Sequence, residues 1–276
     1  ELTGGSSAFR ERRVGWFADL TVDISNYLSL NGAYRIDQAS TLPINDNKFD
    51  FYTFGASLSM LDAIPSLKSD TFNFWKLSAS YSKTGYQPEI GFINELYTVP
   101  AGYPFGSTVG LATPTTGAST NFTPSFTKSY EIGTELEFFS KRLSVKANYF
   151  NTTTDNEFLN ASTSSASGIN ALRLNAGSME SKGFELDLNV QAVKTKDFSY
   201  NIGFVGATNN NKFLHFSNNE FTGQAFQDVC NMESPGNPGT LQRMQEGERL
   251  GNYFTWSYAG IDENGNWLVW NKDNTE

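Results

Sequence analysis

Five carboxylates sit at even spacings in two runs: Glu131, Glu135 and Glu137 in the first, Glu185 and Asp187 in the second. On an extended chain, side chains two or four positions apart point to one face, so each set projects together. Such sets either carry out general acid/base work or line a polar passage. Glycoside hydrolysis would depend on the distance between two carboxyl groups, which spacing along a strand does not set. The same residues have plainer roles open to them, solvated in a wide lumen or paired with Arg35 and Lys146.

The other reactive groups are sparse. Asp262, Asn264 and Asn266 offer oxygens at alternate positions, with Asp273 at the twelfth. A calcium loop needs glycine at the sixth position and glutamate at the twelfth, and Trp267 and Asp273 stand there instead. The segment therefore reads as a polar turn. The one histidine, His215, lies in an Asn-rich stretch, and the one cysteine, Cys230, excludes an internal disulfide and a cysteine-based zinc site. No G-x-S-x-G, H-E-x-x-H or P-loop pattern occurs. No catalytic residue, metal site or cofactor is expected.

Aromatic residues offer recognition rather than catalysis. Tyr86, Tyr97, Tyr103 and Phe105 lie in or beside a glycine-containing stretch, 87–126. Their faces suit stacking on sugar rings or packing beneath a partner protein, and they equally suit packing against neighbouring loops. These four are the candidate substrate-binding residues, because loops on a rigid scaffold usually carry recognition.

The elements that must hold these groups are strands. From Lys128 to Asn156, two runs alternate polar and apolar residues about a turn at Ser140 and Lys141. One face carries Tyr130, Ile132, Thr134, Leu136 and Phe138, continued by Leu143, Val145, Ala147 and Tyr149. The opposite face carries Glu131, Glu135, Glu137, Ser144, Lys146 and Asn148. This period of two predicts a β-hairpin. Each strand reaches roughly 11 residues, against the 5–6 common in soluble sheets. Further strands are expected at about 13–24, 27–37, 49–60, 74–86, 181–191 and 198–209, and a ninth at about 250–261.

Although 18% of the chain is charged, the apolar faces of the first eight strands hold no Asp, Glu, Lys or Arg away from their ends. A lipid-facing surface explains that exclusion, since Lys or Arg at mid-membrane on a barrel's outer face costs about 2–4 kcal/mol. Connections also alternate, short at 25–26, 140–141 and 192–197 and long at 38–48, 87–126, 153–180 and 210–249. Short turns at one end and long loops at the other match the periplasmic and extracellular ends of a membrane barrel. Aromatic content of 14%, with Phe 23 and Tyr 12, agrees with strands and interfacial girdles. The net charge of -9 and the lack of a basic stripe argue against nucleic acid.

These motifs, in order, resemble the SusC-like TonB-dependent transporters of the Bacteroidetes outer membrane. The resemblance is densest from Lys128-Ser-Tyr-Glu-Ile-Gly133 through Arg142-Leu-Ser-Val-Lys-Ala-Asn-Tyr-Phe-Asn-Thr-Thr-Thr-Asp155 and at Asn175-Ala-Gly-Ser-Met-Glu-Ser-Lys-Gly-Phe-Glu-Leu-Asp-Leu-Asn189. Trp75-Lys-Leu-Ser-Ala-Ser-Tyr-Ser-Lys-Thr-Gly85 and Leu250-Gly-Asn-Tyr-Phe-Thr-Trp-Ser-Tyr-Ala-Gly-Ile261 add to it. It implies an all-β, antiparallel transmembrane barrel, of which the chain would be one part of a 22-stranded wall around a plugged lumen. Residues 1–12 and 263–276 would be loops flanking a partial barrel over 13–262. No secretory signal, plug, TonB-contacting segment or closing strands can be assigned, so an internal piece of a longer protein is expected. The resemblance further implies import of glycans or peptides in the bacterial outer membrane, without enzymatic activity. Its partners would be a SusD-like surface lipoprotein, TonB through the plug, and outer-membrane lipid and lipopolysaccharide. The rival readings are a small non-selective barrel, porin or anchor, and an extracellular β-sandwich adhesin.

Overall fold

The computed structural model describes residues 8–97, 104–105, 108–218, 221–231 and 240–270. Its strands, in chain order, begin with β1 (Arg13–Ile24), β2 (Leu28–Ala39), β3 (Lys48–Ser59) and β4 (Phe72–Tyr86). Three short ones follow: β5 (Pro104–Phe105), β6 (Thr108–Val109) and β7 (Thr116–Ala118). Four long ones come next: β8 (Ser125–Phe138), β9 (Leu143–Ser162), β10 (Ala171–Lys194) and β11 (Ser199–His215). Two hairpins complete the set, β12 (Phe226–Asn231) with β13 (Thr240–Gln245), and β14 (Ser257–Ile261) with β15 (Trp267–Trp270).

The eight long strands form one antiparallel sheet in the order β1-β2-β3-β4-β8-β9-β10-β11, with β7 added in parallel at the end of β10. Sequence neighbours are thus spatial neighbours throughout, as an up-and-down wall requires. The register makes the two faces continuous. Phe54 faces Tyr81, Tyr81 faces Tyr130, Ile132 faces Tyr149 and Tyr149 faces Phe184, while Glu135 faces Lys146 on the other side.

The apolar face has aromatic margins. Toward the long loops run Tyr52, Tyr81, Tyr130, Tyr149 and Phe184, with ring centroids 6.0 Å apart for Tyr52–Tyr81, 6.1 Å for Tyr130–Tyr149 and 4.9 Å for Tyr149–Phe184. Toward the short turns, Phe72 stacks on Phe138 at 4.9 Å. Between these margins the side chains are bare: Ile132 is 58% and Leu20 66% exposed. A β-sandwich would bury that face against a second sheet, and a small closed barrel would pair β1 with β11. The described residues show neither arrangement.

The short turn after β8 is wider than the two residues its alternation suggests. It spans Phe139 to Arg142, and Phe139, Ser140 and Lys141 all have left-handed backbones (φ 53°, 54° and 70°). Such φ values are unfavourable outside glycine. Neighbouring groups hold them in place: Phe139 N donates to Thr71 O at 2.7 Å, and Ser140 N to Asn73 Oδ1 at 2.5 Å.

The strands β9 and β10, of 20 and 24 residues, continue well into the stretch 153–180 expected as a loop, leaving 163–170 as the connection. A membrane crossing needs about 9–11 residues, so both rise far beyond it. Bulges make the extension possible. Asn156 adopts φ 60°, and the β9–β10 register shifts on either side of Gly177. A small core then covers the extended ends, where Ala161, Leu174 and Ala176 are buried against Leu159, Leu172 and Phe221.

The expected ninth strand over 250–261 is not a wall strand. Residues 246–249 instead return to the top of β11, with Phe213 N donating to Glu248 O at 3.0 Å and Gly247 N to Phe213 O at 2.7 Å. Ser257–Ile261 folds back on Trp267–Trp270, a segment expected as loop. The cause is Asp262. Its Oδ1 accepts from Asn264 N at 2.9 Å and Asn266 N at 2.7 Å, and its Oδ2 from Asn266 Nδ2 at 2.8 Å. Those hydrogen bonds, that of the Asn266 side chain foremost, hold the Asp262 carboxyl below its ordinary range. This is the polar turn read from the sequence, and it makes a hairpin.

Candidate functional site

The inward carboxylates gather on the polar face as their spacing requires. Glu131, Glu135, Lys146, Asn148, Glu185 and Asp187 line a hollow of about 550 Å³ across β8, β9 and β10. Glu135 approaches Lys146 at 4.0 Å, whereas Glu137 pairs with Lys141 of the turn at 3.5 Å. Asp187 accepts a hydrogen bond from Asn189 Nδ2 at 2.5 Å. Arg35 does not join this group. At the loop end of β2 it donates to Asp37, from Nε at 2.6 Å and Nη2 at 2.9 Å. The Glu135–Lys146 and Glu137–Lys141 pairs, open to solvent, contribute about 0–1 kcal/mol each, so the wall depends on its strand ladder rather than on them.

Above the hollow, the long loop after β4 folds back over the wall. Phe122 is fully buried with Ala39, Leu42 and Phe49, and Phe51, Phe92, Ile93 and Phe158 pack around them. Phe92 meets Phe122 edge-on at 5.8 Å, and the Arg173 guanidinium lies 5.4 Å from the Phe92 ring while donating to Phe92 O at 3.0 Å. An apolar cap of this size is the means by which a long connection overcomes its ordering entropy.

The four aromatic candidates fall in different places. Tyr86 ends β4, meets Phe158 edge-on at 5.5 Å and donates its hydroxyl to the Glu157 carboxylate. Tyr97 is 63% exposed on the loop. Phe105 belongs to β5, which pairs with β6 apart from the wall, and Tyr103 lies outside the described residues.

Two features escaped the reading of the sequence. The first is the Arg35–Asp37 pair, whose carboxylate is 2% exposed beneath a guanidinium that is 48% exposed. Its signal was present in the alternate spacing of the two residues on one face. The second is a stack on the outer hairpin, where the Arg243 guanidinium lies 3.5 Å from the ring centroids of both Phe226 and Phe254. It also donates to Asp228 at 2.6 and 3.0 Å. These residues come from separate segments, and nothing in their spacing joins them.

Comparison with known proteins decides the family. A family model described as TonB dependent receptor-like, beta-barrel matches residues 3–273. The chain belongs to this family. It is thereby part of a β-barrel of the bacterial outer membrane, in a family of receptors and transporters rather than enzymes. Among curated relatives, TonB-dependent receptor P3 of Formosa agariphila is 27% identical over 84% of this chain and 23% of its own length. TonB-dependent receptor P26 of the same organism is 29% identical over 68% of this chain and 19% of its own length. The chain thus spans a quarter or less of these receptors. Among solved structures, the RagAB peptide importer in its open-open state is similar over 96% of this chain and 28% of that one, with a TM-score of 0.79 at 20% identity. The RagAB peptide transporter gives 0.77 at 21% identity over 94% of this chain and 27% of that one. At that identity the likeness is one of fold.

Proposed function

We propose that the chain forms part of the wall and several outer loops of a TonB-dependent importer of peptides or glycans that works with a SusD-like surface lipoprotein. The observation that carries this reading is the opposition of its faces: one open, apolar and edged by aromatic rings, the other polar and hollowed, beneath a loop cap. In this reading the apolar face contacts outer-membrane lipid and lipopolysaccharide, and the polar face looks into the lumen. Bare side chains such as Ile132 suit acyl chains, for which burial of polar groups would be costly. Along nearly its whole length the fold is that of a peptide importer's barrel, which favours an oligomeric nutrient as cargo.

The chain's own residues suit this role by positioning. Capture falls to the loops above Phe122, where cargo and the surface lipoprotein would both meet the chain. The carboxylates around the hollow keep the lumen wall wet, so that cargo is not held by apolar adhesion. Release inward falls to movement of a plug under energised TonB, outside the wall described here. The test is a full-length receptor lacking residues 101–119. Weaker recovery of the surface lipoprotein, or slower uptake of peptides and glycans by cells, is expected. Unchanged lipoprotein recovery together with unchanged uptake would overturn the assignment of capture to this loop.

A further inference from the structure

We propose that Arg13 and Arg35 form a subsite for the C-terminal carboxylate of an imported peptide whose last residue is apolar. The proposal deepens the importer reading and rests on it. Register places Arg13, Gly15 and Phe17 opposite Ala39, Asp37 and Arg35, and Arg35 and Asp37 opposite Phe51 and Phe49. All therefore share the polar face, at its loop end. There Arg13, Arg35, Phe49, Phe51, Tyr86 and Gln87 line a hollow of about 360 Å³. Small-molecule sites are commonly of this size, mostly apolar, with a few convergent polar groups.

Four details point to a ligand rather than to a structural ion pair. Arg35 spends two of a guanidinium's five N–H donors on the buried Asp37, which fixes its plane while leaving the side chain half exposed. Gly15 makes the arrangement possible, because a Cβ there would run into Asp37 Oδ1 and lie 3.3 Å from Arg35 Nη2. A second guanidinium, Arg13, borders the same hollow and approaches Glu11 at 3.7 Å, too far for a directed hydrogen bond. A pinned fork beside a second cation matches carboxylate geometry. Gln87 Oε1 is buried in this lining and accepts no hydrogen bond among the described residues. A buried acceptor without a donor is costly, and a peptide N–H next to the carboxylate would supply one. A uronate-bearing glycan offers the carboxylate without that N–H. Phe51, half-buried, forms the apolar side against which a terminal side chain would lie.

The experiment is calorimetric titration of the full-length receptor with the tetrapeptide Ala-Ala-Ala-Phe as free acid and as C-terminal amide. The free acid is expected to bind about tenfold or more tightly than the amide. Arg35→Gln should abolish the difference, and Arg35→Lys should restore only part of it. Should Arg35→Gln fail to give a heat-modifiable, folded barrel, Arg13→Gln carries the test, since its side chain loses only an exposed 3.7 Å approach to Glu11. Equal binding of acid and amide by the wild type overturns the subsite, while continued peptide uptake by cells leaves the importer reading intact. Galacturonate trimer that matches the free acid in affinity, and loses it in Arg35→Gln, gives the carboxylate to a glycan and overturns the peptide assignment.

Discussion

Asn175 and Thr123 exchange a matched pair of hydrogen bonds: Thr123 N donates to Asn175 Oδ1 at 2.9 Å, and Asn175 Nδ2 donates to Thr123 O at 2.9 Å. The same Nδ2 donates to Asn156 O at 2.7 Å, at the bulge of β9. A side-chain amide thus takes the place of a strand neighbour where the long loop rejoins the wall. Asn175 is 6% exposed, so these groups are shielded from water.

Asn175→Ala removes the partners of Thr123 N and Thr123 O together. Each buried group left unpaired costs about 1–3 kcal/mol, enough to detach the loop end without unfolding the ladder. Limited proteolysis of the whole receptor should then cut within residues 104–118 faster than in the wild type, at an unchanged barrel melting temperature. Equal cleavage rates would show that the apolar cap around Phe122 holds the loop unaided.

The two faces should respond oppositely to charge. Ile132, in mid-face and 58% exposed, becomes costly when changed to lysine, by about 2–4 kcal/mol if the face meets acyl chains. Glu131→Gln, one residue away on the polar face, should change little. Urea midpoints for folding into lipid vesicles measure both. A similar loss for the two variants would defeat the lipid assignment.

Gly183 lies on β10 between Phe150 of β9 and Asn209 of β11. A Cβ there would run into the Thr208 carbonyl and lie 3.0 Å from Phe150 Cζ. Backbone cannot yield as a flexible side chain can, so Gly183→Ala should cost about 1–3 kcal/mol through overpacking. At Gly203 the nearest atom is the Asn189 Oδ1 at 3.2 Å, on a side chain able to move, and Gly203→Ala should be tolerated. The temperature at which each variant loses its compact electrophoretic form gives the comparison.

How far the sequence could be read follows from which forces act locally. Alternation placed all eight wall strands, since a period of two is written into each segment separately. It placed Glu131, Glu135, Glu185 and Asp187 on the face where they lie, and with them the polar hollow. What it missed depends on contacts between distant segments. The ends of β9 and β10 read as loop because Asp155, Asn156 and Asn160 have little strand preference. Their pairing is sustained by the bulges and by the core of Ala161, Leu174 and Ala176. The segment 250–261 alternates well enough for a wall strand, yet Asp262 turns it back on Trp267–Trp270. The Arg243 stack unites three segments, a relation that no spacing encodes.

That stack gives a pH dependence whose direction is fixed. The Arg243 guanidinium, by hydrogen bonding and charge, holds the Asp228 carboxyl below its ordinary value near 3.8. Because the folded-state value lies below the unfolded one, the pair's contribution is complete above the unfolded value and is lost as pH falls through the folded value. The outer hairpin of β12 and β13 should therefore stay ordered as pH falls to the usual aspartate range and loosen only below it. Cys230, exposed on β12, accepts a fluorophore whose anisotropy follows this order. Asp228→Asn should give a flat profile across the same range, since the group that titrates is gone. Arg243→Gln should lower anisotropy at every pH, because Phe226 and Phe254 lose the cation between them as well as Asp228 its partner. A wild-type transition at or above the ordinary aspartate value would mean that the ion pair does not hold the hairpin, leaving the aromatic contacts to do so.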